Sequence, residues 1–69
     1  MAVLKVIEVL ANSENSWEDA TRKAVKKASQ SVDNIRSAYV NEMTTVVKGG
    51  EVVDFRVNVK ITFEVGSND

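Results

Sequence analysis

The side chains that could do chemistry in this chain are almost all carboxylates and amines. The 69 residues include no cysteine and no histidine. The chain therefore has neither a thiolate nucleophile nor the side chain that most often serves as general base or metal ligand at neutral pH. Serines are plentiful, but the sequence places neither a base nor a spaced pair of carboxylates beside one. We predict that the protein is not an enzyme.

Carboxylates are also the side chains that hold calcium. The ion takes about six to eight oxygen ligands, and the acidic residues here do not have the spacing of an EF-hand. A site could still form where symmetry brings carboxylates of several subunits together. Solvated surface acids are the competing interpretation. The candidates are Glu14, Asp33, Glu42, Asp54 and Glu64.

Basic residues suggest two further candidate binding sites, and a pair of glycines suggests a third. Arg56 could bind an anion such as a phosphate group, or pair with a carboxylate of a neighbouring subunit, which we favour. Lys23, Lys26 and Lys27 share a helical face that we interpret as solvated. Gly49-Gly50 lacks the spacing of a phosphate-binding loop and predicts a hairpin turn.

Four elements must position these residues. Residues 3–11 are rich in β-branched and aliphatic side chains, which predicts a strand. Ser16 is a candidate helix N-cap, with Asp19 as a weak capping box. Small and apolar residues then recur at steps of three or four, which predicts a helix over residues 16–31. Trp17 lies on this apolar stripe, and we interpret it as a packing residue.

Two more strands follow the helix. Residues 35–47 alternate imperfectly, with Glu42 and Val40 expected on one side and Tyr39 on the other. Residues 53–65 alternate strictly between apolar and polar side chains, which predicts one buried and one polar face. The element order predicts an α+β fold of β-α-β-β type, in which a three-stranded antiparallel sheet of order 1-3-2 wraps on one helix.

The predicted lengths suggest that the chain associates with copies of itself. The last strand, at about 3.3 Å per residue, measures about 43 Å, whereas the helix, at about 1.5 Å per residue, measures about 24 Å. One helix therefore leaves part of the apolar face uncovered, and soluble monomers rarely carry such a patch. A chain this small without disulfides also gains stability from oligomerisation.

Length, net charge and hydropathy limit the number of domains, the partners and the cellular location that we predict. We expect residues 1–69 to form one domain. The formal net charge is −1, so the chain lacks the excess of basic residues that is typical of nucleic-acid-binding proteins. The sequence has neither a run of about 18–20 apolar residues nor the layout of a signal peptide, so we predict no membrane partner and a cytoplasmic location.

The ordered set of segments resembles the dodecin family over almost the whole chain. The segments that carry the resemblance are residues 5–8, 12–20, 24–25, 28, 31–36 and 55–65. The resemblance implies a homo-dodecameric hollow shell that stores or buffers flavins such as riboflavin and its phosphate, FMN, between subunits. It also implies that the protein is not an enzyme. The stretches around Trp17 and Ile35 are similar to a subgroup, the calcium dodecins, which lack the flavin-stacking tryptophan and are associated with calcium.

The resemblance also implies site residues. Ser37 matches the tryptophan that stacks on the flavin ring, and Arg56 matches the glutamine that hydrogen-bonds its edge, so the flavin site is altered here. Tyr39 is expected at a subunit contact or beside the ligand. Glu42 matches an acidic position at a channel or ion contact and is the first candidate metal ligand, with Glu14 as the second. A ligand-storing shell and a calcium-binding or structural shell remain alternatives.

Overall fold

A computed structural model describes residues 2–66, which form one helix and three strands in the predicted order. The elements are β1 (Val3–Ser13), α1 (Trp17–Ala28), β2 (Ile35–Lys48) and β3 (Glu51–Val65). The helix ends at Ala28, three residues before the predicted end. The backbone amides of Ser31 and Val32 both donate hydrogen bonds to the Ala28 carbonyl, which closes the helix in a turn. Within the described residues, no helix has the length and apolar character needed to span a membrane.

The three strands form one sheet of order β1-β3-β2, as predicted. Both outer strands run antiparallel to β3, so β1 and β2 are parallel to each other without being neighbours. The pairing of β1 with β3 is continuous from Val3 opposite Val65 to Ser13 opposite Phe55. Gly49 and Gly50 both have positive φ, which is the backbone of the tight turn that joins β2 to β3.

The faces predicted for β2 are wrong over part of the strand, because β2 carries two bulges. Arg36 and Asn41 are extra residues that have no partner on β3. Each bulge shifts the alternation by one residue, so Val40 lies opposite buried Val59 while Glu42 lies opposite Asn58. Val40 and Glu42 therefore point to opposite faces of the sheet, and Tyr39 shares its face with Glu42.

The core lies where α1 packs on the centre of the sheet, mainly over β1 and β3. Ala20 and Ala24 are almost completely buried, and their small side chains let the helix approach the sheet closely. Their partners on β3 are Val57, Val59 and Ile61, the central positions of the predicted apolar face. Among the described residues, all the fully buried hydrophobic side chains lie in this contact, so it forms the hydrophobic core of the protomer.

Ser13 and Ser16 fix the start of the helix. The Ser16 hydroxyl accepts a hydrogen bond from the Asp19 amide at 3.0 Å, as the predicted N-cap requires. The Asp19 carboxylate does not complete the capping box; it accepts a bond of 2.6 Å from the buried Ser13 hydroxyl instead. Ser13 also accepts from the amide of Asn15 at 2.9 Å. The Ser13 bond, followed by the nearby Lys23 ammonium, lowers the pKa of Asp19 below its ordinary value.

The protomer is longer and more exposed than a compact domain of its size. Its radius of gyration is 14.2 Å, and its extents are 54 × 19 × 13 Å. A compact chain of this length has a radius of gyration of about 11 Å. The accessible surface is 5067 Å², whereas a folded monomer of this mass exposes about 4,300 Å². The excess comes from the sheet, which extends past the helix as predicted.

Two of the uncovered parts of the sheet are apolar. Beyond the helix N-terminus, the hairpin of β2 and β3 projects as an arm, and Met43, Val47 and Val52 on it are more than half exposed. Leu4, Val6 and Leu10 form an exposed stripe on β1. Soluble monomers rarely leave surfaces of this kind uncovered.

Candidate functional site

The predicted site residues lie on the face of the sheet that points away from α1, here called the open face. The polar residues of β3 occupy its centre, in the alternation that the sequence predicts. Their cross-strand neighbours are arranged in rows: Asn12 and Thr44 flank Arg56, Leu10 and Glu42 flank Asn58, and Glu8 and Tyr39 flank Lys60.

A concave site of about 390 Å³, called the first groove, lies on the open face beside Arg56. It spans all three strands, so that each strand contributes side chains to it. Leu10 supplies an apolar wall and is the most exposed of the large apolar residues. The polar side chains that line the groove are Asn12, Glu42, Thr44, Arg56 and Asn58.

Arg56 is an unpaired cation in this groove. It makes no ion pair with any carboxylate of residues 2–66. Its neighbours on β3, Asp54 and Asn58, each carry a buried side-chain oxygen (Oδ1) that has no hydrogen-bond donor among the same residues. A buried acceptor without a donor costs about 1–3 kcal/mol. The strand therefore presents a cation and two acceptors that are not satisfied within the described part of the chain.

A second groove, of about 380 Å³, lies on the other side of Arg56. Glu14 and Asp54 line it together with Lys48 and Arg56, so positive and negative groups are mixed. The other oxygen of Asp54, Oδ2, accepts a hydrogen bond of 2.7 Å from the side-chain amide of Asn12. Arg56 thus separates Glu14 in the second groove from Glu42 in the first.

The two candidate metal ligands are therefore not brought together within one chain. Nowhere in residues 2–66 do three carboxylates approach closely enough to hold a metal ion. Glu64, another acidic candidate, is bonded at 3.0 Å to the guanidinium of Arg36. The residues of one protomer do not fit a calcium site, and a site with enough oxygen ligands would need carboxylates from several copies.

Ser37 and Arg56 share the open face but not a groove. Ser37 lies opposite Thr62, which is six residues from Arg56 along β3. At about 3.3 Å per residue, the two positions are about 20 Å apart. Tyr39 lies two residues from Ser37 on the same face, opposite Lys60, and is 64% exposed. A ligand of flavin size that touches both Ser37 and Arg56 must take them from different protomers.

Trp17 has the packing role predicted for it. Its ring meets Phe55 edge to face, with centroids 5.2 Å apart and planes at 78°. Its indole N–H donates to the Thr44 carbonyl at 3.0 Å, which ties the first turn of α1 to β2. The ring lies on the helix side of the sheet, away from the first groove.

The sequence analysis did not predict several of the groove residues: Leu10, Asn12, Thr44 and Asn58. Among these four, Asn58 carries the unpaired buried oxygen. The alternation of β3 already places it on the polar face between Arg56 and Lys60. Its unpaired oxygen depends on the side chains of β1 and β2 around it, however, and the β2 side depends on the register shift between Val46 and Val47, where Val53 of β3 has no partner. The sequence contains no signal for that combination.

The chain is similar to dodecins over nearly its full length. The family model described as Dodecin matches residues 3–66. The calcium dodecin of Mycobacterium tuberculosis is 37% identical over 65 residues, which cover 94% of this chain and 92% of that protein.

Solved structures agree with this assignment. The crystal structure of the Mycobacterium tuberculosis calcium dodecin, described as calcium-chelating with a novel calcium-binding site, has a TM-score of 0.81 and 34% identity, and the match covers 97% of this chain and 96% of that one. A Streptomyces coelicolor dodecin has a TM-score of 0.89 and 25% identity over 97% of this chain and 96% of its own. The match of residues 3–66 and the 37% identity show that the chain belongs to the dodecin family.

Proposed function

We propose that this chain forms a homo-dodecameric shell that binds and stores a small ligand without catalysis, and that its flavin site is altered. Family membership supports the shell, and the uncovered apolar surfaces of the arm and of β1 supply contacts for copies of the chain. The proposal includes a single domain over residues 1–69, a cytoplasmic location, and neither nucleic-acid nor membrane partners.

The observation that carries ligand binding is the first groove with its unpaired Arg56. Small-molecule sites are concave, combine apolar walls with a few polar groups, and have volumes of about 300–1,000 Å³. The first groove meets this description at the small end of the range. Its wall on the β1 side, Leu10, is 76% exposed in the protomer, so a neighbouring subunit would close the groove from that side.

The same residues argue that flavin is not the ligand that fits best. Ser37 has no aromatic surface, so the stacking contribution of about 0.5–1.5 kcal/mol per aromatic pair is lost. Arg56 donates hydrogen bonds but accepts none, whereas a glutamine amide does both. A flavin would therefore lose its stacking partner and one of its edge contacts.

A titration of the intact oligomer with riboflavin phosphate, followed by flavin fluorescence, tests this function. Native mass spectrometry first establishes a particle near twelve times 7.6 kDa. We expect the particle to form. We expect flavin quenching to be absent, or to show an affinity weaker than micromolar. If quenching shows that flavin binds with micromolar or tighter affinity, flavin storage is the function. If the particle does not form, the proposed dodecameric shell is wrong.

A second candidate function is a calcium-binding or mainly structural shell. The relative that is 37% identical carries calcium in its name, which favours this alternative. Glu42 is the first candidate ligand and Glu14 the second, each repeated in symmetry-related copies. Calcium would then raise the melting temperature and chelator would lower it, and Glu42→Gln would abolish both changes. Glu51→Gln, at the exposed hairpin turn, is the matched control. Equal melting temperatures with calcium and with chelator would exclude this function.

A further inference from the structure

The polar groups of the first groove form two neighbouring rows, one of hydrogen-bond acceptors and one of hydrogen-bond donors. Glu42 and Asn58 are directly opposite each other and offer carboxylate and amide oxygens as acceptors. Arg56 and Thr44 form the next row and offer guanidinium and hydroxyl donors. Successive residues on one face of a strand lie about 6.6 Å apart. A ligand that meets both rows must carry its own donor and acceptor only a few bonds apart.

The groups in both rows have unused bonding capacity. Arg56 has no carboxylate partner among residues 2–66, and Glu42 lacks an ion pair with any cation of the same residues. Less than 1 Å² of the Asn58 oxygen is exposed, and it has no donor. The Asn58 side chain lines the groove, and its amide can present either its oxygen or its nitrogen to a ligand there.

We propose that the first groove binds a free α-amino acid with an apolar side chain. The ligand carboxylate accepts hydrogen bonds from the Arg56 guanidinium, which matches a carboxylate with two parallel N–H groups. The ligand ammonium donates to the Asn58 amide oxygen and to the Glu42 carboxylate. The apolar side chain lies against Leu10. This inference rests on the proposed function, since it names the ligand class of the same site.

The arrangement disfavours simpler ligands. A plain anion would satisfy Arg56 but would leave Asn58 without a donor and would lie beside the Glu42 charge. A metal cation would satisfy Glu42 and Asn58 but would lie beside the Arg56 charge. Only a ligand with both charges pairs with every charged group that lines the groove.

Isothermal titration calorimetry of the assembled, full-length protein with L-leucine tests the proposal. N-acetyl-L-leucine and L-leucinamide are the matched ligands, because the first lacks the ammonium and the second lacks the carboxylate. We expect saturable binding of L-leucine at millimolar concentration or below, and at least tenfold weaker binding of both derivatives.

Substitutions locate the site. Arg56→Gln and Asn58→Leu are each expected to weaken L-leucine binding tenfold or more, and Glu42→Gln to weaken it severalfold. Lys60→Gln, in the next row of the open face but outside the groove, is the control and is expected to leave binding unchanged. Native mass spectrometry of each variant ensures that assembled particles are compared.

The outcomes separate this inference from the proposed function. Failure of L-leucine to bind, or binding of either derivative as tightly as L-leucine, overturns the amino-acid proposal. If riboflavin phosphate then quenches, the storage function stands with flavin as the ligand. If neither compound binds the assembled particle, the amino-acid proposal falls, whereas the shell with an altered flavin site stands.

Discussion

Ser13 shows how one buried hydroxyl can hold a helix start in place. It lies at the end of β1, only 2% exposed, and bonds both the Asp19 carboxylate and the Asn15 amide. We expect Ser13→Ala to lower the free energy of unfolding by about 1–3 kcal/mol, because the Asp19 carboxylate loses a donor and the Asn15 amide loses an acceptor. Chemical denaturation measures this change. Ser29→Ala removes an exposed hydroxyl that bonds the Lys26 carbonyl, and it should have little effect.

The same substitution should change how stability depends on pH. The pKa of Asp19 is lowered in the folded protein, with the Ser13 bond as the largest cause. This stabilisation is fully present above the unfolded value of 3.8 and is lost as the pH falls through the lower folded value. Ser13→Ala should raise the folded pKa of Asp19 in an NMR titration and reduce the loss of stability in acid. An unchanged Asp19 pKa would contradict the assigned cause.

Ser37 and Arg56 make the altered flavin site testable at two positions. We expect Ser37→Trp combined with Arg56→Gln to create or strengthen flavin binding, because the indole restores a stacking surface and the amide restores an acceptor. Quenching of riboflavin phosphate fluorescence by the assembled variant measures it. Ser31→Trp with Arg56→Gln is the control, since Ser31 lies in the turn after α1. An assembled double variant that fails to quench would refute the match of these positions to the flavin site.

At the scale of elements, close packing of α1 depends on its alanines. Ala24 is 2% exposed and touches the buried side chains of β3. Ala24→Leu adds volume where no space exists, and overpacking of this kind costs about 1–3 kcal/mol. Thermal or chemical denaturation should show this loss. Lys27→Leu places the same side chain on the exposed face of the helix, and a similar loss there would show that packing is not the cause.

The elements were predictable to different degrees for physical reasons. The strict alternation of β3 and the Gly-Gly turn are local signals, so the strand, the hairpin and the sheet order followed from the sequence. The bulges at Arg36 and Asn41 are not local signals, because an extra residue shows only against its partner strand. The rows of the first groove follow the register shift between Val46 and Val47, which is why Arg56 and Glu42 were predicted singly while their shared groove with Asn58 was not.

At the scale of the whole molecule, the arm is the surface that most needs a partner. Met43 and Val47 on it are 58% and 59% exposed. Burying one such side chain stabilises a contact by about 1.5–3 kcal/mol, so replacing both with glutamate should weaken assembly by a factor of ten or more. We expect Met43→Glu with Val47→Glu to shift native mass spectra from the full particle to smaller species. Lys48→Glu, a charge change on the same arm, should leave the particle intact.

The contact of Trp17 with Phe55 and the Thr44 carbonyl has a practical consequence. Trp17 is the single tryptophan of the chain, so all indole fluorescence of the protein originates at the junction of helix and arm. Its emission reports the docking of α1 on the hairpin without any label. Thr44 accepts the indole hydrogen bond with its carbonyl and also lines the first groove, so one residue of β2 joins this fluorophore to the groove. A change of indole emission when a ligand is added would therefore report that occupancy of the groove is felt at the junction of helix and arm.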